Sequence, residues 1–260
     1  MEQQRSGIPS YQARGELSFE LVQATEAAAL ACAGLLGKGD PEGVSNAAGE
    51  AMRRALDRSD MTGTVVLSPR HNPSLPPGAV IGAGDRKVDL GVYPVEGASQ
   101  VARGHINAVS LLVAVDAGGF ARLPATSQME KFVAGPGARG DFASAVMAAI
   151  AGSGIDAAIG IGDLHATLIA ACAVRCLGGE FLARLLPRND EERALVGDAA
   201  TRVYGMAELA PAADISVAIT GVTGGPLLPG VAFASGYAET CSLVMSSRHA
   251  TVRRRPPSTT

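Results

Sequence analysis

Lysine is scarce in this 260-residue chain, with Lys38, Lys87 and Lys131 the only three, and the net charge is −3. The broad basic footprint of a nucleic-acid binder is missing, so no nucleic-acid partner is expected. Cysteine is sparse too: Cys32, Cys172, Cys176 and Cys241 form no CxxC pair and no framework of spacings. A disulfide scaffold is therefore not expected, and the chain reads as cytoplasmic. Met1 to Gly15 is polar and does not read as a signal peptide. Apolar runs are broken by Gly, Ala and charges and are too short to span a bilayer, so no membrane partner is expected. No internal repeat is present.

Hydrophobic residues make up 47% of the chain and charged ones 18%, a globular composition with enough apolar material for one large core or two small domains. Apolar periodicity predicts a long helix over 16–36, ended by Gly37-Lys38-Gly39-Asp40-Pro41, and a second from Ser45 to Leu56. Strands are expected at Gly63 to Leu67, Val88 to Val92 and Ala108 to Val115, the last two rich in β-branched residues. Phe142 to Ala151 reads as a helix capped by Asp141. Ile155 to Ile161 reads as a short buried strand, and Leu164 to Leu177 as a helix after Gly162-Asp163. A helix from Asn189 to Tyr204 has Asn189 as cap and Glu192 three residues on. Cys172 and Cys176, four apart in an Ala-rich run, read as a packing face rather than a metal site. The end is β: Ile215 to Val222, Gly230 to Ala234, Thr240 to Met245 and Ala250 to Arg254. The Pro/Ser stretch Pro69 to Pro77 reads as an exposed loop. Together these predict a single layered α/β domain over 1–252, with 253–260 a disordered basic tail.

Four blocks carry a resemblance. The first is Glu20-Leu21-Val22-Gln23-Ala24-Thr25-Glu26-Ala27-Ala28-Ala29-Leu30 with Ala51-Met52-Arg53-Arg54-Ala55-Leu56. The second is Val88-Asp89-Leu90-Gly91-Val92-Tyr93-Pro94-Val95-Glu96-Gly97. The third is Met129-Glu130-Lys131 with Gly135-Pro136-Gly137-Ala138. The fourth runs from Gly160-Ile161-Gly162 through Cys176-Leu177-Gly178-Gly179-Glu180 and Arg184-Leu185-Leu186 to Ile219-Thr220-Gly221-Val222-Thr223-Gly224. As a set they resemble the class II fructose-1,6-bisphosphatases, bacterial metal-dependent sugar phosphatases. That resemblance implies the layered helix–sheet fold shared with inositol monophosphatases. It also implies hydrolysis of the 1-phosphate of fructose 1,6-bisphosphate with Mg²⁺ or Mn²⁺ held by clustered carboxylates.

Departures from the family pattern fall on the chemistry. Where the family keeps D-P-I-E-G-T, this chain keeps Glu96 but has Tyr93 and Ala98. The aspartate of the second helix is Ser45. The acidic G-E-G-E loop is Ser68-Pro69-Arg70-His71, and the G-G-A-P-E-G turn is Asp163-Leu164-His165-Ala166-Thr167. Tyr93, Ser45, Pro69 and Ala166 are poor ligands for a hard cation. A long middle segment, which in the family supplies substrate-phosphate contacts, is missing between Gly140 and Ile155.

The candidate catalytic residues are His165, Asp163, Glu96 and Tyr93. His165 is the acid–base candidate, or else a surface residue beside a helix that Asp163 merely caps. Asp89 and Glu96 are the remaining candidates for a weak metal site, or are retained through ancestry alone. Tyr93 is either a hydrogen-bond donor to a bound oxygen or a cavity filler. Glu130, Lys131, Gly97 and Ala98 are the substrate-binding candidates. The bland alternative for Glu130-Lys131 is a surface ion pair of little worth. His71 stands in the altered loop with no clear role. The Gly-rich turn at Thr220–Gly225 lacks a P-loop lysine and reads as structural.

Three functions follow as expectations. One is a phosphatase working with one or two cations. Another is a metal-free enzyme of specialised metabolism that acts on a sugar phosphate through His165. The third is a non-catalytic partner or sensor. A small anionic ligand and a homo-oligomer are expected, with an empty relic pocket on an interaction protein as the competing view.

Overall fold

The computed structural model describes residues 17–69, 72–124, 128–134, 138–139, 142–150, 153–155, 157–248 and 251–255. Helices α1 (Leu17–Ala33) and α2 (Pro41–Leu56) come first. They are followed by β1 (Met61–Leu67), β2 (Val80–Ile81), β3 (Arg86–Glu96), α3 (Ala98–Arg103) and β4 (Val109–Asp116). Next come β5 (Met129–Ala134), β6 (Ala138–Arg139), α4 (Phe142–Ala149), β7 (Ala157–Gly162), α5 (Leu164–Cys176), β8 (Glu180–Leu185), α6 (Asp190–Val196), β9 (Val203–Tyr204) and α7 (Met206–Leu209). Strands β10 (Ile215–Gly221), β11 (Ala232–Ala234), β12 (Tyr237–Glu239), β13 (Ser242–Ser246) and β14 (Thr251–Arg255) close the chain.

Two large sheets organise these elements. One has seven strands in the order β14-β13-β10-β4-β3-β1-β2, the other five in the order β6-β7-β5-β8-β9. Both are mixed: β1–β3 and β6–β7 are parallel and every other pairing is antiparallel. Helices α1 and α2 cover one face of the large sheet, with Leu21, Val22, Ala28, Val44 and Met52 packed against Leu90, Leu112 and Ala218. Helices α4, α5 and α7 fill the space between the two sheets, where Ile169, Val146 and Leu209 meet Val113, Val217, Val133 and Phe181. The order is helix, sheet, helix, sheet, so the layered α/β architecture expected from the sequence is what the chain adopts.

Several local expectations change. Helix α2 begins earlier, because Asp40 caps it by accepting from the Gly43 N–H at 2.9 Å and Pro41 takes the first helical position. The expected helix from Asn189 breaks at Gly197, which has a φ of 51. A short 3₁₀ turn and β9 then replace its second half. The described part of the Pro/Ser stretch, Asn72 to Pro77, is anchored: Leu75 is fully buried and the Ser74 carbonyl accepts from Arg53 at 3.0 Å. Arg253 to Arg255 are not tail but belong to β14, paired with β13. Strand β7 is not buried, since Ile159 and Ile161 are exposed. The proposed Asp141 cap lies outside the described residues. Among these residues all four cysteines are free thiols, with Cys172 and Cys176 buried in the packing face of α5. No helix among them is long and apolar enough to cross a membrane.

Candidate functional site

The site is built where β3 ends and α5 begins. Glycine makes their approach possible: a Cβ on Gly91 would come within 3.0 Å of Ile169 and 3.1 Å of Phe120. With only hydrogen there, α5 lies close on β3. Two residues further on, β3 carries an irregularity. Tyr93 pairs with Leu111 and Glu96 with Val109, so one extra residue is accommodated between them. Pro94 sits in this bulge, where no ladder N–H is required. The bulge re-aims the strand end, and Gly97 follows with a φ of 95, a left-handed conformation that favours glycine. Ala98 opens the short helix α3.

Tyr93 is buried, and its hydroxyl donates to Asp163 Oδ2 at 2.5 Å. The other Asp163 oxygen, Oδ1, accepts from the Ala166 N–H at 3.0 Å and caps α5. Asp163 therefore caps the helix and holds the phenol at once. Burial pushes the Tyr93 hydroxyl far above its ordinary pKa, followed by the Asp163 charge, the hydrogen bond to it and the Glu96 charge. The sign is that of a group whose folded pKa is raised. Its contribution to stability is complete below the unfolded value near 10 and is lost as pH climbs through the folded one. Alkaline titration followed by tyrosinate absorbance is expected to leave one of the four tyrosines un-ionised until the chain unfolds. In Asp163→Asn that tyrosine is expected to titrate at lower pH.

His165 is half-buried. Its Nδ1 lies 2.6 Å from the Ser68 carbonyl oxygen and 3.2 Å from the Ser68 N–H. The shorter contact assigns the proton to Nδ1, donating to the carbonyl, and leaves Nε2 as the basic nitrogen of the ring. His165 thus ties the start of α5 to the end of β1. Asn72 reaches the same point, its side-chain N–H₂ donating to Ser68 Oγ at 3.4 Å.

Glu130 and Lys131 are not an ion pair. Strand alternation sends them to opposite faces of the five-stranded sheet. Glu130 faces outward and is bridged to Arg184 at 2.6 Å, so it is not brought to the site. Lys131 faces inward and is 4% exposed, flanked in the ladder by Gly160 and Ala183, whose small size gives its stem room. A Cβ on Gly162 would lie 3.1 Å from Lys131 Nζ and 3.5 Å from Thr167 Oγ1. The ammonium and that hydroxyl therefore both border Gly162 at the first turn of α5, next to Asp163 in the chain. Thr167 Oγ1 is buried and has no hydrogen-bond partner. Sequence reasoning missed Thr167. The available signal was the apolar alternation Met129, Lys131, Val133, which puts the lysine on the core side.

Asp89 is held away from the others. It lies seven residues before Glu96 on one strand, about 20 Å away at the usual rise. There its Oδ2 accepts from the Gly118 N–H at 2.8 Å. Asp89 and Glu96 therefore do not converge on one cation, and Asp89 serves the turn after β4. Ser45 lies in α2, its hydroxyl donating to the Pro41 carbonyl at 3.0 Å. His71 lies outside the described residues. Among these residues no three His, Cys, Asp or Glu side chains are grouped so as to hold a metal ion.

The chain matches the family of bacterial fructose-1,6-bisphosphatases, glpX-encoded, over residues 15–140 and 137–256. It is 27% identical over 317 aligned residues to fructose-1,6-bisphosphatase 1 class 2 of Escherichia coli strain K12, with 93% of this chain and 94% of the relative covered. The same figures hold for fructose-1,6-bisphosphatase class 2 of Escherichia coli O6:H1 and of Shigella flexneri. An aligned length of 317 exceeds the 260 residues of this chain, so these relatives carry internal residues with no counterpart here.

Proposed function

The chain belongs to the bacterial fructose-1,6-bisphosphatase family, and on that footing we propose that it binds a sugar phosphate or related small anion without a cluster of divalent cations. One observation carries this reading: a buried lysine ammonium and an unpartnered buried threonine hydroxyl both border Gly162 at the start of α5. That helix start adds N–H donors and a favourable dipole, so the pocket offers a cation, a hydroxyl and amides to an oxyanion.

The donor set fits a cation centre poorly. Asp163 spends both oxygens on Tyr93 and the helix cap. Tyr93 keeps its proton. His165 Nδ1 is engaged by Ser68. Glu96 is the one family carboxylate left at this end of β3, and one carboxylate does not hold two or three Mg²⁺ or Mn²⁺ ions. Family members that use such ions gain water activation and charge stabilisation from them. The split of the family match at 137–140 supports the loss of the middle segment beyond Gly140.

A second reading, turnover without metal, is favoured by the His165 geometry. With Nδ1–H fixed on the Ser68 carbonyl, Nε2 can take and return a proton, an effect worth about 10²–10⁴-fold. Tyr93, with its one proton donated to Asp163, holds that carboxylate in place beside His165, and an extra family copy of this kind fits specialised metabolism.

The test is thermal unfolding against a panel of sugar phosphates, each with and without Mn²⁺. A binder present at about 100 times its Kd stabilises by about 2.7 kcal/mol, a shift of roughly 5–10 °C for a chain of this size. The expected result is a shift for a phosphorylated sugar, absent for its dephosphorylated form and unchanged by Mn²⁺. Stabilisation that appears only with Mn²⁺ would reject the metal-free reading.

A further inference from the structure

His165 meets two groups of one residue. Ser68 presents its carbonyl oxygen 2.6 Å from Nδ1 and its N–H 3.2 Å from the same atom. The two contacts require opposite protonation. The carbonyl needs a proton on Nδ1, and the N–H needs that nitrogen bare. The set of the Ser68 backbone therefore decides which tautomer His165 adopts, and with it whether Nε2 is a base or a donor. Pro69 supplies part of that control, because the residue before a proline is restricted to extended conformations.

The rest comes from α2. Ser68 is 1% exposed, and its hydroxyl meets the side-chain amide of Asn72 at 3.4 Å. Asn72 is backed in turn by the helix. A Cβ on Gly49 would fall 2.8 Å from Asn72 Oδ1 and 3.4 Å from the Ser74 side chain, so this segment lies directly on the backbone of α2. One turn further along the same helix face, Arg53 donates to the Ser74 carbonyl at 3.0 Å. Asn72 Oδ1 is buried without a hydrogen-bond partner. An apolar side chain of the same shape would not carry that cost, so packing alone does not account for an amide here.

We propose that Asn72 is the positioning residue of His165. Its amide holds Ser68 with the carbonyl turned to Nδ1, so that the ring proton stays there and Nε2 stays basic. The route runs from Gly49 on α2 through Asn72 and Ser68 to the start of α5. Its consequence for chemistry rests on the metal-free reading, in which Nε2 takes and returns a proton. Its effect on the ring itself does not.

NMR of the imidazole nitrogens reads the tautomer in the ligand-free protein, with the ring neutral. The chain has four histidines, and His165→Ala identifies the signals of this one. In the wild type the proton is expected on Nδ1. In Asn72→Ala the tautomer ratio is expected to shift about tenfold toward Nε2–H, the change that goes with one neutral hydrogen bond. Gly49→Ala, whose methyl presses on the amide from α2, is expected to shift it in the same direction. Added to Asn72→Ala it should change nothing more, because the amide through which it acts is gone. That non-additivity separates a route through Asn72 from a general loosening of the fold. A wild-type ring protonated on Nε2 overturns the proposal, and so does a ratio that Asn72→Ala leaves unchanged. A ratio that moves as expected, while sugar-phosphate binding and turnover stay at wild type in Asn72→Ala and His165→Ala alike, upholds the positioning and rejects the metal-free role of His165.

Discussion

Purified protein supplied with fructose 1,6-bisphosphate and saturating Mn²⁺ is expected to release phosphate at least about 100-fold more slowly than an ordinary enzyme, which turns over roughly 10 times per second. Phosphoryl transfer in metal-dependent phosphatases gives the protein little covalent work: cations position the phosphate, activate the water and neutralise the charge. Here the side chains at the start of α5 are already bonded to one another. The Ala166 position supplies a backbone N–H to Asp163 and no carboxylate. The Tyr93 position supplies a buried, protonated phenol. Lys131 brings positive charge to the same turn, which disfavours a second cation there. Tyr93→Asp alone is not expected to recover the rate, because Ala166 and Ser45 remain. Phosphate release with Mn²⁺ at about 10 per second would show that the ligand positions were wrongly matched.

How much of this was legible from sequence differs by element. That the turns at Tyr93 and Asp163 face each other was implied by the family resemblance; the hydrogen bond between them was not legible. The core helices followed from apolar periodicity. The exposure of β7 did not follow: Ile159 and Ile161 within Ala157–Gly162 look like any buried strand, and whether a cover exists is a tertiary property. Glu130 and Lys131 were paired in sequence and separated by the pleat, because Met129–Ala134 was not read as a strand. Asp89 and Glu96 looked like a ligand pair until β3 proved to run unbroken from Arg86 to Glu96. Leu75 was hidden among prolines and serines, where a single buried anchor leaves no periodic trace.

Lys131→Met is expected to reduce affinity for the anionic ligand by about 10- to 100-fold, the loss of a charge-assisted hydrogen bond in a partly desolvated site. Methionine keeps most of the stem volume between Gly160 and Ala183, so the fold is expected to persist and the loss to be specific. Thr167→Val removes the unpartnered hydroxyl. It should leave stability unchanged or slightly raised while weakening the ligand, a combination that a purely structural threonine would not give. His165→Ala cuts the tie between α5 and the Ser68 carbonyl and removes Nε2. If the protein turns over its ligand, the rate should fall by about 10²–10⁴-fold. Glu96→Gln tests the remaining carboxylate at the same end of β3. Asp89→Asn is the control, because its partner is Gly118 at the far end of the strand, and it should leave ligand binding unchanged. Calorimetric titration of each variant with the sugar phosphate selected by thermal shift reads these outcomes directly. Wild-type affinity in Lys131→Met, Thr167→Val and His165→Ala together would mean that the start of α5 is not where the ligand binds.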